Sequence, residues 1–115
     1  MPGPRKTIED LLQKVTHKIV IKFSPERIIL FGSASQGKQK ENSDIDLFVI
    51  LHSRLRKDNR SLEISRLFPD RKFAMDVIVY TPREVRQSLQ RGNFFVKEIL
   101  EKGKVLYEKK KFKKF

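Results

Sequence analysis

Phe31-Gly32-Ser33-Ala34-Ser35-Gln36-Gly37 and, after a short polar loop, Ser43-Asp44-Ile45-Asp46-Leu47 decide how this chain is read. The apolar run Ile28-Ile29-Leu30-Phe31 stops at two small residues, and a second apolar run from Ile45 to Leu51 opens beside two aspartates spaced i and i+2. Alternate side chains of a strand share a face, so Asp44 and Asp46 are expected to point the same way at one strand end. Carboxylates brought that close repel one another and lose hydration, which makes a purely structural role costly. Hard divalent cations such as magnesium prefer carboxylate oxygens and remove the difficulty. A Gly-Ser turn can offer bare backbone N–H groups to a phosphate. The two stretches together suit a metal–nucleotide complex.

The rest of the chain frames these stretches. Thr7, with Asp10 three residues on, suits a helix start. Ile8, Leu11, Leu12, Val15 and Ile19 keep helical spacing, which predicts a helix over 8–22 that Ser24-Pro25 ends. Arg27 to Phe31 reads as a short buried strand, with a brief helix starting near Ser35 and a polar loop over Lys38–Ser43. Asp44 to Leu51 reads as the second strand. His52 to Arg60 reads as a charged connection, and Ser61 to Phe68 as a short helix. Phe73 to Tyr80 predicts a third strand with Met75, Val77 and Val79 on one face and Asp76, Ile78 and Tyr80 on the other. Asp76 in that apolar setting is either an edge residue facing water or a third carboxylate converging on Asp44 and Asp46.

Thr81-Pro82-Arg83-Glu84 carries a capping box with proline at the first helical position. Gly92-Asn93 breaks that helix and starts another, which ends at Gly103, a residue type that suits a helix C-terminus. Lys104 to Tyr107 predicts a last strand. Phe94 and Phe95 are adjacent and do not easily both face the core of one helix, so either one of them is an interface anchor or the helix carries a wide apolar face. His17, alone on a helix, is assigned no role.

A length of 115 residues predicts one domain with one core. With 38% apolar and 35% charged residues the composition is that of a highly charged globular protein rather than a disordered one. No apolar run approaches the ~20 residues that cross a bilayer, and residues 1–6 form a loose leader that opens no signal-peptide apolar region. No membrane partner is expected, and a cytoplasmic location is the default expectation. The chain has no cysteine, which excludes disulfides and thiolate metal sites. The net charge of +12, five units of it from Lys109, Lys110, Lys111, Lys113 and Lys114, favours anionic partners. The basic tail over 109–115, with Phe112 and Phe115 between its lysines, suits either a solvated surface or a nucleic-acid or partner groove. Nucleic acid binding is expected only through that tail or through a partner.

Three carboxylates and a Gly-Ser turn resemble the active site of the DNA polymerase beta-like nucleotidyltransferase superfamily, most nearly its smallest members, the minimal nucleotidyltransferases. The motifs are Gly32-Ser33, the ten residues 34–43, Asp44-Ile45-Asp46 on the next strand, and Asp76 in Met75-Asp76-Val77-Ile78. The close of the chain, Glu98 to Tyr107, is similar to the usual end of these domains, so the resemblance spans about residues 8–108. It implies an α/β (α+β) nucleotidyltransferase fold, a small mixed sheet of about four strands flanked by helices.

The resemblance also implies roles. Asp44, Asp46 and Asp76 would hold two magnesium ions with ATP, and Asp76 would help deprotonate an acceptor hydroxyl. Gly32 and Ser33 would hold the triphosphate, with Gly37 and Lys38 beside them. Many relatives carry arginines in this turn, whereas here it reads Gly32-Ser33-Ala34-Ser35-Gln36-Gly37; Lys38 and Lys40 are the candidate replacements. Relatives this small resemble antitoxins that transfer AMP to a tyrosine of an all-helical HEPN-domain toxin, and such a partner is expected here. A non-catalytic subunit that neutralises a HEPN ribonuclease by contact, and a nucleotidyltransferase acting on a small molecule such as an aminoglycoside, are the alternatives.

Overall fold

The structure is a computed structural model and describes residues 8–32, 45–71 and 73–110. The elements run α1 (Ile8–Phe23), β1 (Arg27–Phe31), β2 (Ile45–Ile50), α2 (Lys57–Ser65), β3 (Met75–Tyr80), α3 (Pro82–Gln90), α4 (Phe94–Lys102) and β4 (Lys104–Glu108). The strands form one sheet in the order β3-β2-β1-β4, with β2 and β3 parallel and β1 antiparallel to both of its neighbours. This is the mixed four-strand α/β arrangement the sequence implied. The expected Thr7 cap, the brief helix near Ser35 and the tail beyond residue 110 lie outside the described residues.

Period-2 alternation in the strands separates two cores. Ile28, Leu30, Ile45, Leu47, Val49, Met75, Val77 and Val79 pack on one face against α1 and α2, through Leu12, Val15, Ile19 and Ile64. Ile29, Phe48 and Ile50 pack on the other face against Val85, Val96 and Ile99 of α3 and α4. β2 serves both cores, which is why from Leu47 onward it reads as a continuous apolar run rather than an alternating one. Phe48 is wholly buried and meets the Tyr80 ring at a 5.2 Å centroid separation. Burial of a side chain of this size contributes roughly 1.5–3 kcal/mol.

α1 runs one residue past its expected end. Its backbone then turns through Ser24, whose φ of 47° is left-handed, and Pro25 supplies no N–H to continue the helix. α2 starts at Lys57, within the stretch expected to be a connection, and ends at Ser65 rather than Phe68. The cause is Arg60, which is buried and bonded to Glu84, so a charged residue belongs to the packed face of this helix. Thr81 accepts a hydrogen bond from the Glu84 N–H at 3.2 Å and the Glu84 carboxylate accepts one from the Thr81 N–H at 2.8 Å, the expected capping box.

Gly103 closes α4 for a different reason from the one expected. Its φ is −69°, outside the left-handed region. A Cβ there would strike a methyl group of Ile29 and lie 2.5 Å from the Ile99 carbonyl oxygen. The missing side chain lets the α4–β4 corner lie directly on β1.

Candidate functional site

Strand register assembles the site. Asp46 of β2 stands opposite Phe31 of β1 on one side and Asp76 of β3 on the other. Beneath them Ile45 and Met75 are buried toward α1 and α2. Alternation therefore sends both aspartates to the opposite face, that of α3 and α4, one row before Phe48 and Ile78. The Ile45 N–H donates to the Ala74 carbonyl at 2.9 Å and fixes the start of the two strands against each other. Adjacent strands lie about 4.8 Å apart, so the two carboxylates are immediate neighbours.

Gly32 completes the row from the β1 side. It carries a φ of +77°, and a Cβ on it would sit 2.5 Å from Asp46 Oδ2. The bend after β1 thus presses bare backbone against the Asp46 carboxylate, and only glycine satisfies both the backbone angle and the contact. Gly32→Ala is expected to cost roughly 2 kcal/mol in chemical denaturation, from the left-handed angle together with displacement of the Asp46 side chain.

The pairing is electrostatically unfavourable by itself. Asp76 is exposed and Asp46 partly exposed. Like charges directly opposite on neighbouring strands destabilise a sheet. No cation among the described residues forms a salt bridge to Asp76. An oxygen-only donor pair on a rigid sheet fits a hard divalent cation, which would remove the repulsion. Asp44 lies outside the described residues, and among those described no group of three metal-ligating side chains forms. Of the residues singled out from the sequence, the structure brings together Gly32, Asp46 and Asp76. Ser33, Gly37 and Lys38 lie, like Asp44, outside the described residues.

A cavity of about 360 Å³ opens on the β1 side of the row. Phe31, Gly32 and Phe95 form one part of its wall, and Glu98, Ile99 and Lys102 of α4 the other. Phe95 meets Phe31 edge-on at 5.8 Å between centroids. Phe95 stood out in the sequence as half of an adjacent aromatic pair, but its place beside Gly32 depends on how α4 crosses β1. Glu98 and Lys102 stood in the sequence only as part of the Glu98–Tyr107 stretch, with no local sign that they line a cavity.

Residues 13–112 match the family model described as "Polymerase beta, Nucleotidyltransferase". No curated protein shows significant similarity to the chain. Among solved structures, the chain is similar to one described as "toxin-antitoxin with AMP-PNP", with a TM-score of 0.58 and 24% identity over 85% of this chain and 74% of that one. It is also similar to a mutant of the toxin-antitoxin pair MntA-HpeT, with a TM-score of 0.53 and 23% identity over 89% of this chain and 73% of that one. At these identities the likeness is one of fold. No described helix is long and apolar enough to cross a membrane.

Proposed function

The chain belongs to the polymerase beta nucleotidyltransferase family, and on that footing we propose that it transfers AMP from ATP to a hydroxyl of a partner protein, in the manner of an antitoxin acting on a HEPN-type toxin. The observation that carries the reading is the row of Gly32, Asp46 and Asp76 at one end of the sheet. The toxin–antitoxin character of the two similar structures, one of them described with AMP-PNP, supports the choice of partner and nucleotide.

Asp44, Asp46 and Asp76 are the residues that would hold the magnesium ions, whose chemistry is to neutralise triphosphate charge and polarise the α-phosphate. Gly32 and Ser33, with Gly37 and Lys38, cradle the triphosphate. Asp76, on the exposed edge strand, takes the proton of the acceptor hydroxyl. The acceptor oxygen bonds to the α-phosphorus, the α–β phosphoanhydride breaks, and pyrophosphate leaves. Alignment and charge stabilisation carry most of the rate. The acceptor residue in the partner is a tyrosine, and the net charge of +12 favours an acidic partner surface around it.

The test uses the full chain, magnesium, ATP labelled at the α-phosphate, and the protein encoded beside it. Label on the neighbour, with pyrophosphate released, is the expected result. A neighbour neutralised without label would establish the contact-only reading instead. Label on an aminoglycoside and not on the neighbour would establish the small-molecule one.

A further inference from the structure

We infer that the 360 Å³ cavity between the end of β1 and α4 is the subsite for the base of the nucleoside triphosphate; this rests on the transfer function proposed above. Gly32 both abuts the Asp46 carboxylate and lines the cavity, so the cavity and the carboxylate row share a wall. A ligand whose phosphates lie at the Gly32 bend can extend in two directions along this end of the sheet. Toward β3 it meets the exposed sheet edge at Asp76, where the acceptor must enter. Toward β1 it meets an apolar recess with aromatic walls.

The lining favours a base over a second phosphate. Phe31, Phe95 and Ile99 supply apolar surface, and the exposed charges at the mouth, Glu98 and Lys102, lie 4.0 Å apart and cancel. A phosphate site needs an excess of cations and N–H donors; a flat heteroaromatic ring needs a π surface with a donor and an acceptor at its edge. Phe95 is 48% exposed, and its edge-on contact with Phe31 fixes the ring before any ligand arrives. The Lys102 ammonium donates and the Glu98 carboxylate accepts at the polar edge of the base.

Binding of ATP and of inorganic tripolyphosphate, each with magnesium, to the full chain and to Phe95→Ala tests this by calorimetry. Loss of base stacking should weaken ATP by about ten- to a hundredfold and leave tripolyphosphate within about twofold. Phe94→Ala is the control, since Phe94 is 74% exposed and does not line the cavity; it should leave both ligands unchanged. Phe95→Leu, which keeps apolar bulk but no π face, should fall between the wild type and Phe95→Ala for ATP. Equal loss of both ligands in Phe95→Ala, or no loss of either, overturns the base subsite. A wild-type chain that binds ATP no more tightly than tripolyphosphate overturns it too, while leaving the transfer function standing. A wild-type chain that binds neither ligand removes the transfer function and the subsite together.

Discussion

Asp76→Asn should lower AMP transfer by about a thousandfold while leaving the unfolding free energy within about 0.5 kcal/mol of wild type. The two halves of this expectation come from one observation. Asp76 is exposed on an edge strand, and among the described residues it forms no salt bridge, so little packing depends on its charge. Among the described residues its charged neighbour in register is Asp46, which it repels. Asparagine keeps the shape and removes the charge. Without a negative oxygen, the site loses both the proposed cation ligand and the group proposed to accept the hydroxyl proton. Each tenfold loss in rate corresponds to about 1.4 kcal/mol of barrier, so a thousandfold loss asks for about 4 kcal/mol, a plausible share for a ligand carboxylate at a phosphoryl centre. Transfer assayed beside urea unfolding checks both halves. Retained transfer would reduce Asp76 to a solvated edge residue. Retained stability with lost transfer separates it from residues that act through packing.

What the sequence disclosed follows the range of the forces involved. Strand alternation is local, so the opposite faces of Met75 and Asp76 were legible. The capping box of Thr81 and Glu84 is confined to four residues and was legible for the same reason. Gly32 stood out because an apolar strand ended on it, although its contact with Asp46 depends on the β1–β2 register. The start of α2 was misplaced because charge on a surface stretch and charge on a buried face look alike in sequence. Arg60 belongs to the second kind, and its partner lies 24 residues onward across β3. The cavity at α4 stayed hidden because its walls, Phe31 and Phe95, stand 64 positions apart in the numbering and meet only through the fold.

Arg60→Met should destabilise the chain by about 3 kcal/mol, the largest loss expected from any single charge in the described core. The Arg60 guanidinium is nearly wholly buried and joins three elements. Its Nε donates to the Leu55 carbonyl at 2.7 Å, and Nη1 donates to the Val79 carbonyl at 3.3 Å. Its two terminal nitrogens bond the two Glu84 oxygens at 2.6 and 3.2 Å, a bidentate pair. Methionine keeps the stem packing but leaves two carbonyls and a partly buried carboxylate without this donor. Burial pushes the Glu84 carboxyl up, yet hydrogen bonds from Arg60 and the Thr81 N–H, with the charges of Arg60 and Lys57, outweigh it and hold its pKa below the ordinary glutamate value. A carboxylate with a depressed folded-state pKa contributes stability that is present above the unfolded pKa and lost as pH falls through the folded one. Glu84→Gln keeps the capping geometry but not the charge, so it should be less stable than wild type at neutral pH. The gap should close as acid protonates Glu84 in the wild type. The double variant Arg60→Met with Glu84→Gln should recover part of the loss, because no buried charge is then left unpaired. A gap between wild type and Glu84→Gln that stays constant into acid would mean that the pair contributes through shape alone.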